Sequence, residues 1–65
     1  MPKFVPLDEN DEMTDEERAF VKKCGATGVF FDSKNNELVV KVPKRGGGHK
    51  IFRGRGTDSS DWRLS

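Results

Sequence analysis

Sixty-five residues limit this chain to one small domain, of a size that buries only about 60% of the surface its unfolded form exposes. Apolar residues make up 32% of it and charged residues 35%, against ordinary globular averages of about 45–50% and about 25%, so part of the chain is expected to stay loose. A single cysteine, Cys24, excludes an internal disulfide or a two-cysteine metal pair, and the first residues show neither a basic start nor an apolar run of signal-peptide or membrane-span length; no cofactor and a cytoplasmic compartment are expected.

The formal charge of +1 conceals a segregated chain. Residues 1–20 hold seven acids against two bases, whereas Lys41 to Arg55 holds six lysines and arginines, His49 and no acid. Such a basic stretch attracts phosphate or an acidic protein surface.

In chain order, Met1 to Met13 carries two prolines and the acidic run Asp8-Glu9-Asn10-Asp11-Glu12 without a sustained apolar period, and is expected to be a flexible acidic segment. The run lacks the spacing and the glycine of an EF-hand loop, so solvated acids rather than calcium ligands are expected. Folded back, the segment would screen the basic stretch. Residues 14–65 then form a single small α+β domain. It opens at Thr14-Asp15-Glu16-Glu17, a capping box that predicts a helix from Asp15 to Cys24, with Lys22 and Lys23 in its last turn and Gly25 as a left-handed stop. Phe20, Val21 and Cys24 form a narrow apolar stripe, so this helix must lie on another element, and Cys24 reads as a small buried hydrophobe.

That element is a hairpin. Thr27 to Asp32 and Glu37 to Val42 are rich in β-branched and aromatic residues and flank the turn-forming run Ser33-Lys34-Asn35-Asn36. A four-residue loop pairs Asp32 with Glu37 and needs Asn36 left-handed, while a two-residue loop pairs Lys34 with Glu37. The like charges of the first register argue against it. Both registers put Val29, Phe31, Leu38, Val40 and Val42 on one face, and with Phe20 and Val21 these are the expected core. After Pro43 and the glycines Gly46, Gly47 and Gly48, Lys50 to Arg53 reads as a third strand, and Asp61 to Leu64 as a fourth with Trp62 and Leu64 on a common face. The expected architecture is one short helix on a three- to four-stranded antiparallel sheet.

The basic run suits nucleic acid because lysine and arginine neutralise phosphates, glycine lets backbone amides approach, and an aromatic ring stacks on an unpaired base. The residues concerned are Lys41, Lys44, Arg45, Gly47, Gly48, His49, Lys50, Phe52, Arg53 and Arg55. A plainer assignment has Lys44 and Arg45 solvating a loop, Arg53 lining an open sheet face and Phe52 or Ile51 in the core. Because a strand alternates, Ile51 and Phe52 cannot both face inward, and Phe30, Val39 and Phe52, edged by Lys41 and Arg53, would form an exposed apolar patch that marks a partner surface.

The segment Gly47-Gly48-His49-Lys50-Ile51-Phe52-Arg53 resembles the glycine-serine-histidine segment of small messenger-RNA-cleaving toxins of the HicA type, with Gly48 in place of the serine. The resemblance implies a double-stranded-RNA-binding-like fold and a catalytic role for His49. From the residues themselves, a lone histidine with no second titrating group to place beside it points to no catalysis. The expectation is therefore a non-catalytic module that binds DNA or RNA, with no metal and no membrane. The alternative is a protein-binding regulator or inhibitor that docks by its apolar patch or a sheet edge.

Overall fold

The computed structural model describes residues 3–65; Met1 and Pro2 of the acidic segment lie outside the described residues. Asp15–Lys23 form the helix α1, and Gly28–Asp32, Glu37–Pro43, His49–Gly54 and Trp62–Leu64 form the strands β1 to β4. The four strands make one antiparallel sheet in chain order, with α1 on one face, so the fold is α+β.

The helix is closed at both ends by local chemistry. Thr14 Oγ1 accepts the Glu17 amide at 3.1 Å while Glu17 Oε1 accepts the Thr14 amide at 2.9 Å, the reciprocal capping box. At the far end the Ala26 amide donates to the Val21 carbonyl at 2.9 Å and the Gly25 amide to the Lys22 carbonyl at 3.0 Å, with Gly25 at φ 94°. This is a Schellman motif, completed by the buried pair Val21 and Ala26. Cys24 is thereby the C-cap, outside the last turn, and it is exposed rather than buried in the core.

The hairpin takes the four-residue loop, with Asp32 opposite Glu37, Phe31 opposite Leu38 and Asn36 at φ 54°. The opposed carboxylates are tolerated because the next strands bring cations to them. Arg53 of β3 places Nη1 at 3.2 Å from Asp32 Oδ2 and 3.5 Å from Glu37 Oε1, and Arg63 of β4 places Nη1 at 2.8 Å from Glu37 Oε2. A hairpin viewed alone lacks these partners.

Val29 and Leu38 have no exposed surface, and Val21 and Val40 are nearly as buried; Phe20, Phe31 and Val42 are partly exposed at the margin of this core. The described residues of the acidic segment pack against the domain. Val5 exchanges both backbone hydrogen bonds with Val29, each at 2.9 Å, covering the free edge of β1, and Leu7 and Met13 enter the core. Arg18 makes this possible. Its Nε donates to the Leu7 carbonyl at 3.0 Å and its Nη2 to the Asn10 carbonyl at 2.7 Å, while Asn10 Oδ1 accepts the Glu12 and Met13 amides. Apolar residues at irregular spacing are buried here because a helix side chain satisfies the backbone between them, which no period can report.

The sheet also rearranges the expected patch. Phe52 stands opposite Val40 and packs on the core, whereas Ile51 stands opposite Lys41 and faces away from α1 with Phe30 and Val39. On that outer face Val39 is only 2% exposed, the Phe4 and Phe30 rings meet edge-on at 4.9 Å, and the Lys41 ammonium lies 5.4 Å from the Phe4 ring centre. The face is thus covered by the chain's own side chains, and the exposed Phe30, Val39 and Phe52 patch does not exist.

Beyond β3 the chain turns at Gly54, where a Cβ would run into the Asp61 backbone carbonyl, so this corner closes only around glycine. A 3-10 turn, Ser59–Asp61, and β4 follow. No helix of the described residues is long and apolar enough to cross a membrane.

Candidate nucleic-acid interface

The six cations between Lys41 and Arg55 do not form one surface. Strand alternation sends Lys41, His49 and Arg53 to the outer face and Lys50, opposite Val42, to the helix side. Arg53 is held by Asp32 and Glu37. Arg55 Nη2 donates to the Glu12 carbonyl at 2.9 Å and lies 3.4 Å from Glu17 Oε1, with its guanidinium 5.8 Å from the Phe31 ring centre. Both arginines serve the fold. Lys44, Arg45 and Lys50 are exposed and take part in none of the ion pairs among the described residues.

These three meet at the tip of the β2–β3 hairpin. The Lys44 amide donates to the Gly48 carbonyl at 3.1 Å and the Gly47 amide to the Lys44 carbonyl at 3.2 Å, closing a tight loop through Gly46, Gly47 and Gly48. Below the loop lies an open cleft of about 380 Å³. Its floor is Val40, Val42 and Phe52; one wall is Phe20, Val21, Cys24 and Ala26, the other Trp62 and Ser59, and Lys44, Arg45 and Lys50 stand at the rim. The cleft lies between residues of the nine-residue α1 and Trp62 of β4.

The Trp62 wall is tied to the helix. Its indole Nε1–H donates to the Gly56 carbonyl at 3.1 Å, and the Gly56 amide donates to Glu17 Oε2 at 2.7 Å. Glu17 is 5% exposed. Burial alone would raise its carboxyl, but the Thr14 and Gly56 amides and the Arg55 guanidinium outweigh it and hold the group below its ordinary value. Asp32 is lowered too, first by the Asn35 side chain, against some desolvation, then by the Asn35 amide and Arg53. A carboxyl lowered by folding stabilises the fold above its unfolded value and loses that contribution as pH falls through the folded one. Urea midpoints are therefore expected to be level above the ordinary values of 4.5 for Glu17 and 3.8 for Asp32 and to fall below them. In Glu17→Gln the part of that decline due to Glu17 should be missing.

Of the residues expected to bind, Lys44, Arg45, Lys50 and Phe52 gather at the cleft, with Gly47 and Gly48 in the loop above it, while Lys41, His49, Arg53 and Arg55 lie elsewhere. His49 is exposed and enters no ion pair of the described residues. Phe20, Cys24 and Trp62 join the site unannounced by any motif; the one available signal is the period of two that sets Trp62 on the side of Phe52 once β3 and β4 pair through Gly54 opposite Trp62. The acidic segment meets the basic stretch at Arg55, whose Nη2 donates to the Glu12 carbonyl, while Asp8 is engaged with Lys22 at 2.7 Å and Val5 sits at the β1 edge. Among the described residues no three of His, Cys, Asp and Glu converge as metal ligands would. No protein-family model, no curated protein and no solved structure matches the chain.

Proposed function

We propose that this protein is a small non-catalytic nucleic-acid-binding module that contacts phosphates through Lys44, Arg45 and Lys50. The observation that carries the reading is clustering. Of the twelve lysines and arginines, Arg18, Lys22, Arg53, Arg55 and Arg63 pair with the chain's own carboxylates; among the seven in no ion pair of the described residues, Lys3, Lys23, Lys34 and Lys41 lie outside the cleft lining, whereas Lys44, Arg45 and Lys50 stand together on its rim. Unneutralised cations on a glycine loop favour an anionic polymer, since each phosphate contact releases condensed counterions.

Salt titration of labelled DNA or RNA, read by fluorescence anisotropy, tests this. Three phosphate contacts set the slope of log K on log salt at about −2 for a single strand and about −3 for a duplex. Using all six cations of the stretch would make it steeper. Absence of retention at low salt overturns the proposal, and capture of one stoichiometric protein partner would then assign the chain to the regulator class. His49→Ala is expected to bind unchanged. Cleavage of RNA by the protein, lost in a folded His49→Ala variant, would instead make it an enzyme.

A further inference from the structure

Phosphate charge accounts for Lys44, Arg45 and Lys50 but not for the apolar cleft behind them. We propose that this cleft seats an unstacked base of a single strand, with Phe52, Trp62 and Phe20 against the base and the three rim cations on the flanking phosphates. The inference rests on the nucleic-acid reading and narrows it to strands with unpaired bases.

Four features support that occupant. All three aromatic rings line the cleft and are partly exposed, and aromatic stacking is the usual means of holding a base without regard to its identity. The volume, about 380 Å³, falls in the range of about 300–1,000 Å³ typical of small-ligand sites. Apart from the rim cations, Ser59 supplies the one hydroxyl of the lining, so the cleft meets base faces and offers little to base edges. A duplex presents edges in its grooves and keeps the faces stacked. Finally, the rings are set in advance: Phe52 lies between Val40 and Leu64 in the sheet, and Trp62 is fixed by the Gly56 carbonyl. Charge gives the site a direction. The cations stand at the hairpin end, and the carboxylates by Trp62 are spent on their own turn, Asp58 accepting the Ser60 amide at 2.9 Å and Asp61 the Asp58 amide at 3.3 Å. A strand would therefore lay its phosphates along the loop and turn a base toward Trp62.

Trp62 is the only tryptophan and Cys24 the only cysteine, and both line the cleft, which gives two built-in reporters. The ligands are an oligothymidylate, an abasic strand of the same length and charge, and a duplex. The oligothymidylate is expected to quench Trp62 emission, to slow maleimide labelling of Cys24, and to bind roughly 5- to 150-fold more tightly than the abasic strand for a single seated base. Equal affinity for the oligothymidylate and the abasic strand, with neither quenching nor protection, overturns the base seat and leaves phosphate binding standing. Failure of all three ligands to bind at low salt overturns both. An acidic amphipathic peptide that quenches Trp62 and protects Cys24 where the oligothymidylate does neither would give the cleft to a protein. Phe52→Leu keeps the position apolar while removing one of the three rings and should weaken the preference for bases; should it fail to fold, the abasic comparison on the unaltered protein still decides.

Discussion

Leu38→Ala is expected to abolish the cooperative unfolding transition. Leu38 has no exposed surface and lies on the inner strand β2, opposite Phe31 on β1 and Gly54 on β3. Truncating such a leucine costs about 2–5 kcal/mol through lost burial and the cavity left behind. A single core in a chain below about 70–80 residues supplies no more than about 3–5 kcal/mol, and the lone Cys24 rules out an internal disulfide to add to it. In urea, the unaltered protein should give a sigmoidal loss of ellipticity and the variant a slope without a native baseline. Phe31 is a useful contrast. It is partly exposed at the margin of the core, with the Arg55 guanidinium over its ring, so Phe31→Ala should lower the midpoint and keep the transition. A Leu38→Ala protein that melts like its parent would place the core elsewhere.

The elements that sequence reveals here are those whose determinants are local. Thr14, Glu17 and Gly25 mark the ends of α1 within one residue because capping is chemistry between neighbours. The period of two picks out Val29, Leu38, Val40 and Val42 whichever hairpin register is chosen. Everything decided between distant residues is less legible. Asp32 opposite Glu37 looks unfavourable until Arg53, twenty-one positions away from Asp32, arrives to neutralise both. Val5, Leu7 and Met13 show no period, and their burial depends on Arg18 reaching back eleven residues to Leu7. The same limit governs the site. A run of basic residues reads as one surface, yet alternation along β3 and the carboxylates Glu17, Asp32 and Glu37 withdraw Arg53 and Arg55 from it. The cleft is a relation among α1, β2, β3 and β4, and no single segment encodes it.

That division of the basic residues makes charge reversal decisive. Changing Lys44, Arg45 and Lys50 together to Glu is expected to take binding of a single strand below detection at every salt concentration, because three attractive contacts become three repulsive ones on the rim. The same protein should melt as its parent does. All three side chains are exposed and unpaired among the described residues, and substitutions at such positions stay within about 0.5 kcal/mol. Arg55→Glu should do the reverse. It sets a second carboxylate against Glu17, which is 5% exposed and already 3.4 Å from the Arg55 guanidinium. Leaving that buried acid without its cation costs about 1–3 kcal/mol. Arg53→Glu likewise adds a third acid to Asp32 and Glu37 on the outer face, away from the cleft. For both, the midpoint should fall while affinity, measured where the variant is folded, stays close to that of the unaltered protein. Thermal melts and anisotropy on the same samples separate the two classes. Normal binding by the Lys44, Arg45 and Lys50 triple variant, with binding lost in folded Arg53→Glu or Arg55→Glu, would move the interface from the cleft to the outer face of the sheet or to the helix N-terminus.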